Sequence, residues 1–143
     1  MKVTLIKIKD PKTALSLPLY SSRVPAGFPS PADDYIEDIL DLNEYLVKHP
    51  TASFYARGEG NSMVNCGILD QALLIVDRSI EPAQDDIVIA VIDGEMTCKI
   101  LDKKGHMLRA ANPSYSPIPI TEGMELTILG IVVHAVNQLC MRS

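Results

Sequence analysis

The residues after Pro50 form a series of short apolar segments, and this series constrains the fold more than any other feature of the chain. The segments follow one another at spacings of about 8 to 15 residues, and clusters of Gly, Pro, Asn and Asp separate them. They are ASFYARGE, LLIVD, DIVIAVID, EMTCKIL, HMLRAA and LTILGIVVHAV. No helical pattern lies between them. The sequence therefore predicts a mainly β fold of curved antiparallel sheets rather than a doubly wound one.

The residues before Pro50 have a different character. Residues 1–8, MKVTLIKI, alternate apolar and polar side chains, which predicts a short, isolated edge strand. Residues 10–34 contain five prolines, a density that resists helix and central strand and predicts an extended arm. The segment DLNEYLVKHP begins with Asp41 as an N-cap and is stopped by Pro50, so one short helix is predicted there.

Composition disfavours several functions. The net charge is −5, and the aromatic residues are five tyrosines and two phenylalanines, so little is available to neutralise phosphates or to stack bases. Direct nucleic-acid binding is therefore not expected. No apolar stretch approaches the roughly 20 residues that span a bilayer, and no signal-peptide pattern is present, so we expect a cytoplasmic protein. Cys66, Cys98 and Cys140 form no CxxC pair and are predicted to be reduced thiols.

Metal and nucleotide sites are not predicted either. His49, His106 and His134 lie far apart, and none has a carboxylate or a second histidine at helical ligand spacing. The sequence contains neither GxxxxGK[ST] nor GxGxxG. We therefore expect no cofactor.

Two residues could carry acyl-transfer chemistry. Ser62 follows Gly60-Asn61 at a bend, where a serine can present its hydroxyl and its own backbone N–H. Lys99 lies in the strand-like EMTCKIL, on the same face as Thr97. A lysine that loses its proton can act as a general base, so a Ser-Lys pair can replace Ser-His-Asp. Ordinary roles remain open for both: a turn residue for Ser62 and a surface lysine on an edge strand for Lys99.

Several segments taken together resemble one known family. The segments are AGFPSPADDY, DLNEYLVKHP, GNSM, LLIVD, DIVIA, DGEMTCKIL, NPSYSPI and LGIVVH. They resemble the UmuD type of the LexA-like self-cleaving serine peptidases over residues 17–136. The resemblance implies that Ala26-Gly27 is the scissile bond, that Ser62 is the nucleophile and that Lys99 is the general base. The spacing between these three positions is similar to that in the family.

The resemblance also implies a mechanism and partners. Ser62 would attack the Ala26 carbonyl, neutral Lys99 would accept the Ser62 proton, and the backbone N–H groups of Asn61 and Ser62 would form the oxyanion hole. Gly27 would become the new N-terminus. A RecA filament on single-stranded DNA would stimulate this cleavage in the SOS response. The trimmed protein would form a homodimer and act as the accessory subunit of a UmuC-like, Y-family translesion DNA polymerase.

The domain organisation follows from the same resemblance. Residues 1–26 would be a cleavable arm, and residues 27–143 a peptidase and polymerase-binding domain. The arm contains no two-helix DNA-binding pattern, which disfavours a repressor, and a signal peptidase would need a membrane anchor. The alternative is a binding module that keeps the fold and regulates a Y-family polymerase without cleaving itself. The chain departs from the family at Gln71-Ala72, where Gly-Asp is common.

Overall fold

The computed structural model describes residues 1–6, 16–20 and 36–143, and the chain divides into two units. The larger unit comprises Met1–Ile8 with His49–Ser143, and the smaller comprises Lys9–Lys48. The strands are β1 (Lys2–Ile6), β2 (Ser16–Tyr20), β3 (Ile36–Asp41), β4 (Ser53–Glu59), β5 (Leu73–Asp77), β6 (Ile87–Ile92), β7 (Glu95–Asp102), β8 (Met107–Arg109), β9 (Ile118–Pro119) and β10 (Leu126–Val136). In the described part of the chain, no helix is long and apolar enough to cross a membrane.

The larger unit is one curved antiparallel sheet. Its strand order is β1-β4-β5-β10-β6-β7-β8-β9, and β1 pairs with β7 as well as with β4. This additional pairing, at Lys2 and Thr97, brings the sheet round into a barrel-like arrangement. Each of the six apolar segments after Pro50 contains a strand, so the predicted mainly β fold is confirmed. The two-residue strand β9 was not predicted, since its length gives no periodic signal.

β1 is a strand as predicted, but the prediction that it is isolated is wrong. It pairs with β4 along its whole length, and the side chains of Met1 and Val3 are buried in the core. Gly58, opposite Val3 in the register, leaves the space that the Met1 side chain occupies. The partner strand is about 50 residues away in sequence, so local alternation could predict the strand but not its pairing.

The apolar side chains form two clusters in the larger unit. One contains Met63, Leu74, Val76, Ile89 and Cys98, all without measurable exposure. The other contains Val88, Ala90, Leu101, Leu108 and Ile131. Successive residues of β6 enter different clusters, which explains why this strand is an almost continuous apolar run rather than an alternating one.

The smaller unit contains a two-stranded antiparallel ribbon and the predicted helix. β2 pairs with β3, and Pro18, which has no N–H to donate, is accommodated because a two-stranded ribbon leaves each strand one open edge. Neither strand was predicted. Helix α1 (Leu42–Leu46) begins as predicted at Asp41, whose side chain accepts a hydrogen bond of 3.0 Å from the Asn43 backbone N–H.

Asp77, at the end of β5, is a buried carboxylate that joins two neighbouring segments. Its Oδ1 accepts hydrogen bonds from the backbone N–H of Ser79 at 2.8 Å and from the Ser79 hydroxyl at 2.6 Å. Its Oδ2 lies 2.5 Å from His49 Nδ1. Burial by itself raises the pKa of Asp77, but the hydrogen bonds from Ser79 and His49 outweigh burial and hold the pKa below its ordinary value of 3.8.

We expect Asp77→Asn to lower the free energy of unfolding at neutral pH by about 1 to 3 kcal/mol, since charge-assisted hydrogen bonds are lost. The pKa of Asp77 is lower in the folded than in the unfolded chain. Ionised Asp77 therefore stabilises the fold above the ordinary value of 3.8, and this contribution is lost as the pH falls through the folded pKa. Urea unfolding at several pH values should show the difference between wild type and variant shrinking in acid. A difference that stays constant with pH would contradict this role.

Candidate active site

The loop that carries Ser62 leaves the sheet directly after β4. Gly60 has a φ of 102°, a left-handed conformation that favours glycine, and it turns the chain away from the strand. Asn61 is exposed, whereas Ser62 and Met63 are buried. Because the Met63 side chain packs in the main core cluster, it anchors the loop and holds Ser62 beneath the surface.

The Ser62 hydroxyl has an unusual environment. Its residue is only 1% exposed, and its Oγ is, among the described residues, the one buried side-chain nitrogen or oxygen without a hydrogen-bond partner. Leaving a buried polar atom unpaired costs about 1 to 3 kcal/mol, which an ordinary turn serine does not incur. The hydroxyl is therefore free to engage a group that enters the site.

Lys99 lies in the middle of β7, opposite Val88 of β6. It is 7% exposed, so the interpretation of Lys99 as an exposed surface lysine is wrong. Lys99 and Thr97 both line a cleft of about 710 Å³. Cys98 points the other way, into the core.

Met1 lines the same cleft. The Met1 amino group donates a hydrogen bond of 3.2 Å to Thr97 Oγ1, and the Met1 carbonyl accepts one of 3.2 Å from the Cys98 N–H. Burial, followed by the neighbouring Lys99 ammonium, lowers the pKa of the Met1 α-amino group to about 5. At neutral pH this amine is therefore uncharged beside Lys99.

Burial disfavours the thiolate form of two of the three cysteines. All three are free, which confirms the prediction of unpaired thiols. Burial raises the pKa of Cys98 to about 12, so its thiol stays protonated at neutral pH. Burial also raises the pKa of Cys66, because its effect outweighs that of the backbone hydrogen bonds, which lower the pKa.

Ser62 and Lys99 belong to the same unit but are not hydrogen-bonded to each other. A single turn, residues 112–115, contacts the surroundings of both. Asn112 Nδ2 donates a hydrogen bond of 2.9 Å to the carbonyl of Asn61, the residue before Ser62. The Tyr115 ring centre lies 5.7 Å from Lys99 Nζ. The sequence alone had indicated no role for Asn112 or Tyr115.

The other predicted site residues are the oxyanion-hole pair and the scissile bond, and the structure describes only the first of these. The Asn61 carbonyl also accepts a bond of 3.3 Å from the Val64 N–H, and the role of the Asn61 and Ser62 N–H groups as an oxyanion hole stays a prediction. The scissile bond Ala26-Gly27 lies outside the described residues. Within residues 1–6, 16–20 and 36–143, no group of three or more His, Cys, Asp or Glu side chains could hold a metal ion.

Gln71, where the chain departs from the family pattern, has a left-handed backbone with a φ of 68°. A glycine would adopt this conformation without the penalty of roughly 1 to 2 kcal/mol that other residues incur. The turn keeps its hydrogen bonds, because the Gln71 N–H donates to the Gly58 carbonyl at 2.8 Å and the Arg57 guanidinium donates to the Gln71 carbonyl at 2.9 Å. The departure therefore leaves the turn that supports β4 intact.

Comparison with known proteins identifies the family to which this chain is similar. The model of a family described as Peptidase S24-like matches residues 18–133. Protein SamA of Salmonella typhimurium strain LT2 is 44% identical over 122 residues, which cover 85% of this chain and 85% of SamA. Protein MucA of Escherichia coli is 37% identical over 148 residues, covering 99% of this chain and all of MucA. The LexA repressor of Shewanella baltica is 36% identical over 128 residues, covering 87% of this chain and 61% of the repressor.

Proposed function

Because this chain belongs to the Peptidase S24-like family, a family of LexA-like serine peptidases, we propose that it cleaves itself between Ala26 and Gly27 with a Ser62-Lys99 dyad. The resemblance to UmuD-type peptidases is confirmed by the family match and by the similarity to SamA and MucA. The observation that carries the proposal is the buried, unpartnered Ser62 hydroxyl, which lies in the same unit as a buried lysine.

The proposed reaction uses each residue at a defined step. Ser62 Oγ attacks the carbonyl carbon of Ala26, and its proton passes to neutral Lys99 Nζ. Backbone N–H groups of Asn61 and Ser62 stabilise the tetrahedral oxyanion. The bond from Ala26 to Gly27 then breaks, and the Gly27 nitrogen leaves with the proton held by Lys99. Water hydrolyses the remaining ester to release the Ala26 carboxylate and free Ser62.

We extend the proposal from the active site to regulation and partners. The intact protein is latent until a RecA filament on single-stranded DNA stimulates cleavage. The trimmed form, residues 27–143, then works as a homodimer and as the accessory subunit of a UmuC-like, Y-family translesion polymerase. This part rests on the family resemblance, and it makes the protein a component of the SOS response and of SOS mutagenesis.

The test is the intact mass of the purified chain after incubation at alkaline pH, with and without a RecA filament. We expect a product spanning residues 27–143. Gly27→Lys is the matched control, because a residue without a Cβ lets the scissile backbone approach the nucleophile closely, and this variant should stay whole. An unchanged wild-type mass, together with binding to a Y-family polymerase, would instead support the non-cleaving binding module.

A further inference from the structure

The turn at residues 112–115 has a fixed internal geometry. Asn112 Oδ1 accepts a hydrogen bond of 3.0 Å from the Ser114 N–H, and the Asn112 carbonyl accepts one of 3.1 Å from the Tyr115 N–H. Because the side-chain oxygen of Asn112 is used within the turn, its amide nitrogen points outward as a donor. The neighbouring Ala111 carbonyl accepts a bond of 2.8 Å from the Asn65 N–H, which fastens the turn to the loop that carries Ser62.

The hydrogen bond from Asn112 reaches the nucleophile loop at a position that matters for catalysis. Its acceptor, the Asn61 carbonyl, belongs to the same peptide group as the N–H of Ser62. A hydrogen bond to the carbonyl polarises the whole peptide group and strengthens the N–H at its other end as a donor. Asn112 therefore fixes and polarises the group proposed to stabilise the oxyanion.

The other end of the turn contacts the proposed base. The Tyr115 ring lies 5.7 Å from Lys99 Nζ, within the range in which an aromatic face attracts an ammonium group. The other charged or titratable groups lining this cleft are the Met1 amino group, Lys2, Asp93 and Glu95. The ring thus limits the directions that the flexible Lys99 stem can take.

We propose that Asn112 and Tyr115 are positioning residues that align the two halves of the site, Asn112 through the Asn61-Ser62 peptide group and Tyr115 through the Lys99 amine. This inference rests on the proposed function, because it assigns both residues to the same self-cleavage reaction. It assigns the segment NPSYSPI the task of linking the proposed nucleophile and base, in part through a hydrogen bond between Asn112 and Asn61, which lie 51 residues apart in sequence.

The first test measures the rate of self-cleavage against pH. Asn112→Ala should lower the rate about three- to tenfold at every pH, since one hydrogen bond is lost and no titrating group changes. Tyr115→Leu removes the ring contact that holds the Lys99 side chain in place, so the rate should fall about two- to fivefold. Tyr115→Phe keeps the ring and should keep the rate. Tyr45→Leu is the matched control, because Tyr45 contacts Lys48 at the same distance of 5.7 Å.

The second test does not depend on cleavage. In a Ser62→Ala background, competitive labelling with acetic anhydride at a fixed pH reports how accessible the Lys99 amine is, and Tyr115→Leu should raise the labelling rate about two- to fivefold because the ring no longer holds that amine. If wild type never cleaves but Tyr115→Leu raises the labelling rate, the proposed function fails and the Tyr115 contact stands. If wild type cleaves while Tyr115→Leu changes neither the cleavage rate nor the labelling rate, or Asn112→Ala cleaves at the wild-type rate, the corresponding positioning role is overturned. Urea unfolding of each variant identifies any rate loss caused by unfolding.

Discussion

Ser62→Ala should abolish self-cleavage, with a rate loss of about 10⁴-fold or more, because it removes the hydroxyl proposed to form the acyl intermediate. The structure adds an expectation about stability. The Ser62 hydroxyl is buried without a partner, so removing it relieves an unsatisfied polar group. The variant should be at least as stable as wild type, and more stable by up to about 1 to 3 kcal/mol.

Intact mass and urea unfolding measure both parts of this prediction. Ser53→Ala is the matched control, since the Ser53 hydroxyl donates a bond of 2.7 Å to the His49 carbonyl and lies outside the proposed mechanism. Ser53→Ala should cleave at the wild-type rate and be less stable, whereas Ser62→Ala should lose cleavage and keep its stability. A Ser62→Ala chain that still yields residues 27–143 would show that Ser62 is not the nucleophile.

Lys99→Met should lower the cleavage rate about 10²- to 10⁴-fold, as is typical for the loss of a general base. Methionine has a stem of similar size and no charge, so it fits the space that the Lys99 side chain occupies in the cleft wall. Replacing a buried ammonium by an apolar group removes its desolvation cost, which outweighs the modest loss of the contact with Tyr115. The variant should therefore be inactive and as stable as wild type at neutral pH.

The same two measurements test this substitution, with the exposed Lys103→Met as the control that should change neither quantity. Continued cleavage by Lys99→Met would remove the lysine from the mechanism. Inactivity with a large loss of stability would identify Lys99 as a structural cation that holds the Tyr115 turn in place.

The sequence was sufficient for the elements whose signals are local. The runs LLIVD and DIVIAVID predicted their strands, and Asp41 predicted the start of the helix, because apolar periodicity and N-cap chemistry act over a few residues. The ribbon of β2 and β3 was missed because prolines and carboxylates mask its strand signal. The pairing of β1 with β4 and β7 was missed because it joins distant segments.

For the site as well, local features could be predicted from the sequence, and contacts between distant segments could not. Ser62 and Lys99 could be proposed from residue type and resemblance, yet the burial of Lys99 could not, since it depends on the cleft formed by β1 and β7 together. The contact between Asn112 and Asn61 could not be predicted either, because it joins two residues that are distant in sequence. The segment NPSYSPI belongs to the resemblance, but a resemblance does not say which atoms meet.

The position of β10 in the sheet has a consequence for the biosynthesis of the protein. β10 lies between β5 and β6, and it joins a half-sheet of β1, β4 and β5 to a half-sheet of β6, β7 and β8. Ser62 lies on the first half and Lys99 on the second. Until residues 126–136 leave the ribosome, the described strands of the two halves are joined by the β1–β7 pairing at Lys2 and Thr97 but not by β10, and such long-range pairing is slow to form. We therefore expect the framework that holds Ser62 and Lys99 to be incomplete in a nascent chain, and the proposed self-cleavage to be disfavoured until synthesis is nearly finished.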